Sequence, residues 1–224
     1  MTYDWQPLLL SFKLATVTTL ILTLIGIPFA WWLSQTRARI KPLLETLVSM
    51  PLVLPPSVLG FYLLLAFSPQ SWLGHFLDQA AGLKLAFSFG GLVLASLIFS
   101  FPFLVHPVQS GFQNLPVSLA EAAYTLGKTR WQTFLHVLLP NIKPSLIAGI
   151  VLAFAHTIGE FGVVLMIGGN LPGETRVASI AIYDEVESLN FEGANFYSLV
   201  LVAVSFGILM TVHLVNKRMV RSAW

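Results

Sequence analysis

The sequence has no cysteine. Disulfide frameworks, thiolate metal sites and thiol nucleophiles are excluded with it. Charge is nearly as scarce. Only 10% of the 224 residues are Asp, Glu, Lys or Arg, against about 25% in an ordinary soluble domain. So few charges cannot cover the surface of a soluble domain of this length, and a disordered chain or a nucleic-acid-binding arm needs more still. Catalytic signatures are also missing. There is no H-E-x-x-H, no G-x-S-x-G, and no glycine-rich loop ending in Lys-Ser or Lys-Thr. The glycine pairs Gly90-Gly91 and Gly168-Gly169 precede no such lysine and suit turns or close helix packing. The first residues, Met1 to Trp5, lack the basic start of a cleaved signal peptide, which predicts that the first apolar stretch is retained.

What the chain has is apolar surface. Hydrophobic residues make up 56% of it, which places it among integral membrane proteins. Five apolar stretches, near residues 14–33, 47–67, 89–108, 145–168 and 197–215, are long enough to cross a hydrocarbon layer of about 30 Å as helices. The expected fold is therefore all-α and polytopic, a single membrane domain over residues 1–224. Pro28 stands in the first span. Pro51, Pro55 and Pro56 stand in the second and Pro102 in the third, where they predict breaks in helices packed inside a bundle. The stretch 175–189 has apolar positions among acids and suits a helix at the membrane interface.

The few charges set the orientation. Arg37, Arg39 and Lys41 follow the first span, Lys128, Arg130 and Lys143 lie between the third and fourth, and Lys217, Arg218 and Arg221 follow the fifth. Clustered bases mark the cytoplasmic side, so the N-terminus is expected outside and the C-terminus inside. The opposite side carries only Lys13, Lys84 and Arg176 as bases, with Asp4, Asp78, Glu174, Asp184, Glu185, Glu187 and Glu192. Five spans do not divide into the equal halves of an inverted-repeat carrier.

The longest cytoplasmic connection, about 109–143, does not look like membrane. Ser118 with Glu121, and Thr129 with Gln132, have the spacing of capping boxes. Gly127 suits the left-handed end of the first short helix, and Leu139-Pro140 suits the end of the second. Leu119, Ala122, Ala123, Leu126, Trp131, Phe134 and Leu135 are more apolar surface than one short hairpin buries. Such a knob either packs on its own bundle or receives a partner.

Glu121-Ala122-Ala123, Gly127 and the distal Leu139-Pro140 resemble the "EAA…G…LP" loop of ABC-importer permease subunits. The segment from Met50-Pro51 through Pro55-Pro56 to Gly60 is similar to the second span of molybdate permeases. Gly159-Glu160-Phe161-Gly162 resembles the "GEFG" of the molybdate and sulfate branches, and Pro172-Gly173-Glu174-Thr175 resembles an external segment of the molybdate branch. The resemblance covers nearly the whole chain. It implies a permease subunit for an oxyanion, molybdate first, with tungstate or sulfate as the alternative. It also implies coupling to an ATPase through Glu121, Ala122, Ala123, Leu126 and Gly127. Two copies would form the pathway in a bacterial inner membrane, with a cytoplasmic ATPase dimer and an external substrate-binding protein as partners. ATP and magnesium would belong to the ATPase, and the permease itself would hold no cofactor, metal or nucleic acid.

Glu160 is the acid expected within a span, four residues after His156. A carboxylate at such depth costs roughly 2.5–3.5 kcal/mol on insertion scales and faces a cavity or a partner. Three uses are open to it. With His156 it could serve a proton or metal site, as in an ion-coupled secondary carrier. It could hydrogen-bond at a subunit interface, or it could brace a gate together with Gly159, Phe161, Gly162, Pro51, Pro55 and Pro56. Its negative charge would repel an oxyanion, which favours pairing with a helix N-terminus over contact with the cargo.

Overall fold

Helix is the only regular structure among the residues that the computed structural model describes, 4–221, with side chains left out at 80, 81 and 213–221. The bases Lys217, Arg218 and Arg221 fall outside the described side chains. Uniform apolar composition makes α1 (Gln6–Gln35) continuous, because each backbone group can bond only within its own helix in an apolar surrounding. After a short turn, α2 (Lys41–Val53) and α3 (Pro56–Phe67) meet at 112°. The second span is thus two helices. Leu54 and Pro55 are extended, and the residue before a proline avoids the helical region. Pro51, by contrast, lies inside α2. The connection that follows holds α4 (Trp72–Ala81).

α5 (Phe89–Gln113) runs unbroken through Pro102 and Pro107, so the break expected at Pro102 does not form. Three short pieces follow: α6 (Val117–Thr125), α7 (Arg130–Thr133) leading through a π-helical turn at Phe134–Leu138, and α8 (Leu139–Asn141). Pro140 does not stop this second helix. It stands in the first turn of α8, just after the π turn, and the chain bends by 81° only at Ile142. α9 (Lys143–Gly159) and α10 (Gly162–Gly168) share the fourth apolar stretch and are separated at Glu160-Phe161, a second correction to the expectation of one span. α11 (Ala178–Glu187) precedes the long α12 (Phe191–Arg221).

α1, α5 and residues Phe191–Val212 of α12 are each long and apolar enough to cross a membrane, and two bent helix pairs, α2 with α3 and Arg130–Asn141 with α9, bring the total to as many as five among the described residues. α5 is the centre of the bundle. At one end its Leu104, Val105 and Val108 pack against Leu22 and Ala30 of α1 and against Phe134 and Leu138. At the other end Leu92, Ala95 and Phe99 pack against Leu14, Val163, Ile167 and Ile180. α11 is not a surface helix over its whole length: Ala178, Ile180 and Ala181 are buried. α12 packs on α11 and α9, and near its start Tyr197 packs with Leu8, Ala178 and Ala181 and donates its hydroxyl to the Asp4 carbonyl (2.8 Å).

Candidate functional site

The break at Leu54-Pro55 and the break at Glu160-Phe161 lie against one another. A Cβ added at Gly162 would come within 2.7 Å of the Pro56 Cβ, and one added at Gly60 within 2.8 Å of the Met166 Cβ. α3 and α10 therefore touch at backbone distance, an approach that only glycine permits. Pro55, Pro56, Gly60, Glu160, Phe161 and Gly162 are brought together here. Pro51 sits one helix back in α2, and Gly159 has open space around it.

Glu160 occupies the junction with its side chain and its backbone both engaged. Its Oε1 accepts the Val163 N–H at 2.8 Å, capping the first turn of α10, where backbone donors have no helical partner. Its carbonyl accepts the Ser179 hydroxyl of α11 at 2.6 Å. The residue is buried, with 7% of its surface exposed. His156 takes no part in this. Its Nδ1 is 3.0 Å from Ser100 Oγ, and its ring stacks on Phe103 at 3.8 Å. Thr157 donates to the Ala153 carbonyl (2.8 Å), so Ser100 donates to Thr157 (2.9 Å) and accepts from His156. The two residues that could have formed a proton or metal pair are thus committed to different partners. Among the described residues no three acidic, histidine or cysteine side chains converge to hold a metal.

α11 is anchored around this junction. Ser11 of α1 accepts the Ala178 N–H at 2.8 Å. Asp184 receives Asn170 Nδ2 (3.0 Å) and Arg176 Nε (3.0 Å). Thr175, in the Pro172–Thr175 segment, donates to the Gly168 carbonyl (2.7 Å) and accepts the Leu171 N–H (2.8 Å). Near the far end of α11, Tyr183 bonds Glu187 at 2.5 Å, and the carboxylate raises the phenol above its ordinary pKa. Lys13 lies over the Phe89 ring at 4.5 Å. Sequence reasoning missed Ser11, Ser100, Thr157 and Ser179. Their only signal is a small hydroxyl side chain standing on a helix, where such groups ordinarily bond the turn before them.

The other predicted site is the hairpin α6–α8 at the opposite end of the bundle. Its second capping box forms: the Gln132 N–H reaches Thr129 Oγ1 (3.2 Å), and the Thr129 N–H reaches Gln132 Oε1 (3.0 Å). The first does not. Pro116 precedes the helix and sets its start at Val117, so Ser118 lies inside the first turn and makes no cap bond. Glu121 is then free of that duty and lies exposed with Ala122. Gly127 has φ +77, the left-handed turn expected of it. Ala123 and Phe134 are buried, the latter stacked on Trp31 at 4.5 Å, while Leu126 is 80% exposed and Trp131 54%. The hairpin thus packs on its own bundle by one side and leaves an apolar side open.

Broken helices around a central span and a helical hairpin at one end are the architecture of ABC-transporter membrane subunits. The inward-facing MetNI methionine ABC transporter is similar over 97% of this chain and 94% of its own (TM-score 0.71, 19% identity). A bacterial ABC transporter importing alginate is similar over 95% and 78% (TM-score 0.78, 15% identity). These likenesses establish the fold. The sequence itself is 43% identical to the molybdenum transport system permease protein of Azotobacter vinelandii, over 94% of this chain and 93% of that one. It is 37% identical to that of Escherichia coli K12 over 90% and 89%, and 32% identical to a probable sulfate transport system permease protein of Chlorokybus atmophyticus over 94% and 75%. Residues 17–222 match the model of the binding-protein-dependent transport system inner membrane component, and the chain belongs to that family.

Proposed function

We propose that this chain is the membrane subunit of an ATP-driven importer for molybdate. The near full-length similarity to the molybdenum permease of A. vinelandii carries the substrate. The sulfate permease is less similar and longer, so sulfate is the second reading. The end bearing Asp4, α11 and the Pro172–Thr175 segment faces outward and receives a loaded binding protein. The α6–α8 hairpin faces the cytoplasm and seats on an ATPase subunit. ATP and magnesium act there and not on this chain.

Two copies form the pathway, as the resemblance to ABC-importer permeases implies. In the cycle, closure of the ATPase dimer moves the hairpin at Glu121, Ala122, Ala123, Leu126 and Gly127, and the bundle opens outward. Hydrolysis returns it to the inward-open state. The crossing of α3 and α10 is the gate or subunit interface of this motion. Glu160 holds the geometry of the crossing and does not ligate the cargo, because its carboxylate would repel an oxyanion and is already spent on capping α10.

The test is uptake of labelled molybdate and sulfate by vesicles carrying the reconstituted complex. ATP-dependent molybdate uptake is expected. A complex that carries sulfate and not molybdate would overturn the substrate, and transport without any ATPase subunit would overturn the class.

A further inference from the structure

We infer that Ser179 is a positioning residue for transport. It ties α11 to the break at Glu160, so that docking of the binding protein on α11 reaches the crossing of α3 and α10. The inference rests on the outward placement of α11 proposed above.

α11 is a ten-residue helix, about 15 Å long, with two unlike ends. Its first turn is embedded: Ala178 is bound to α1 through Ser11, and Ile180 is buried in the same cluster as Val163 and Ile167 of α10. Its far end presents Tyr183, Val186, Glu187 and Leu189, a mixed apolar and acidic surface of the kind a protein partner covers. The Asp184 bonds to Asn170 and Arg176 fasten the helix to the preceding loop. A push on the exposed end therefore moves α11 as one piece.

At the embedded end, the described hydrogen bond that joins α11 to the break is the one from Ser179 Oγ to the Glu160 carbonyl. The rest of the contact is apolar packing, which is non-directional, and one aromatic pair, Phe161 of the break with Tyr183 of α11, ring centroids 5.2 Å apart. That carbonyl belongs to the C-cap of α9, and the carboxylate of the same residue caps α10. Rotating the Glu160 peptide alters both helix ends at once, and α10 is packed at Gly162 on Pro56 of the other break. Ser179 thus sits where a displacement of α11 becomes a change in backbone direction at the crossing.

The experiment compares Ser179→Ala and Ser179→Thr in the complete complex, reconstituted with its ATPase subunits and challenged with molybdate-loaded binding protein. Ser179→Ala should keep assembly and basal ATP hydrolysis, with melting lowered by only about 2–4 °C, the effect of one hydrogen bond on a chain of this length. It should lose stimulation by the loaded binding protein and maximal uptake by about fivefold, the size of one hydrogen bond. The loaded-protein concentration for half-maximal stimulation should not change, because the docking surface is intact. Ser179→Thr keeps the hydroxyl and should restore both rates. Uptake and stimulation within twofold of wild type in Ser179→Ala would overturn the inference. So would a Ser179→Thr protein as slow as the alanine variant, or a loss that falls on the half-maximal concentration or on assembly. Failure of the wild-type complex to take up any oxyanion with ATP would instead count against the proposed function.

Discussion

The crossing of α3 with α10 and the hairpin α6–α8 are both short helices joined at breaks, yet they are finished in opposite ways. At the crossing the backbone breaks themselves have internal partners. The Glu160 carboxylate and carbonyl are both bonded, and Gly60 and Gly162 are filled against the facing helix. The hairpin is locally complete at the Thr129 box and the Gly127 turn, but it leaves Leu126 and Trp131 exposed. A region whose demands are met internally keeps its shape with nothing bound. A region that leaves apolar surface open takes its final form from a partner. The crossing reads as a fixed geometry to be moved as a unit, and the hairpin as a surface left open.

The largest expected effect is at the crossing. Gly162→Leu places side-chain atoms where Pro56 stands 2.7 Å from the first of them. It should destabilise the chain by about 3 kcal/mol, the upper range for overpacking, with loss of monodisperse protein and of uptake. Wild-type melting in this variant would break the contrast. Gly127→Val comes next. Nothing lies within 4 Å of a Cβ there, and only the φ of +77 resists the change. The local cost is about 1–2 kcal/mol, with ATPase assembly and uptake reduced and the melting of the isolated chain lowered less than in Gly162→Leu. A fall in melting as deep as that of Gly162→Leu would place the hairpin within the core.

Glu160 sharpens the comparison further. Glu160→Ala removes the cap from α10 and should cost about 1 kcal/mol, while the amide oxygen of Glu160→Gln can still accept the Val163 N–H, so uptake should stay near wild type. A glutamine variant as slow as the alanine one would show that the charge, and not the cap, is used, as an ion-coupled carrier with His156 requires. The smallest effect on folding belongs to Leu126→Ser, within about 0.5 kcal/mol for so exposed a position. Co-purification with an ATPase subunit should nonetheless weaken, and undiminished binding would remove Leu126 from the contact.

Much of the fold was legible because composition and length decide it. α1, α5 and α12 follow from apolar runs too long for anything but a spanning helix. The break at Pro55-Pro56 was partly legible, since proline forbids the helical bond. Its 112° angle was not, because the angle is set by what α2 and α3 pack on. The break at Glu160 was hidden. Glycine and phenylalanine around one acid look like continued span, and only the bonds from Val163 and Ser179 make an extended Glu160 favourable. Pro102 misled in the other direction, for α5 is buried on several sides and stays continuous through it. At the hairpin, Gly127 and the Thr129 box were readable from local chemistry alone. The Ser118 box failed because Pro116, a residue earlier than the pattern considers, fixes where the helix begins.

The sequence by itself determined that the chain lives in a membrane and where its few charges lie. It also determined which turn must be left-handed. These follow from transfer free energy and from backbone sterics, which act residue by residue. Only the tertiary structure decided that the two breaks touch, that Glu160 serves α10 and His156 serves Ser100, and that α11 is bonded to the junction. Those outcomes depend on which buried donor finds which acceptor across helices distant in sequence, and in an apolar bundle that choice is made by packing.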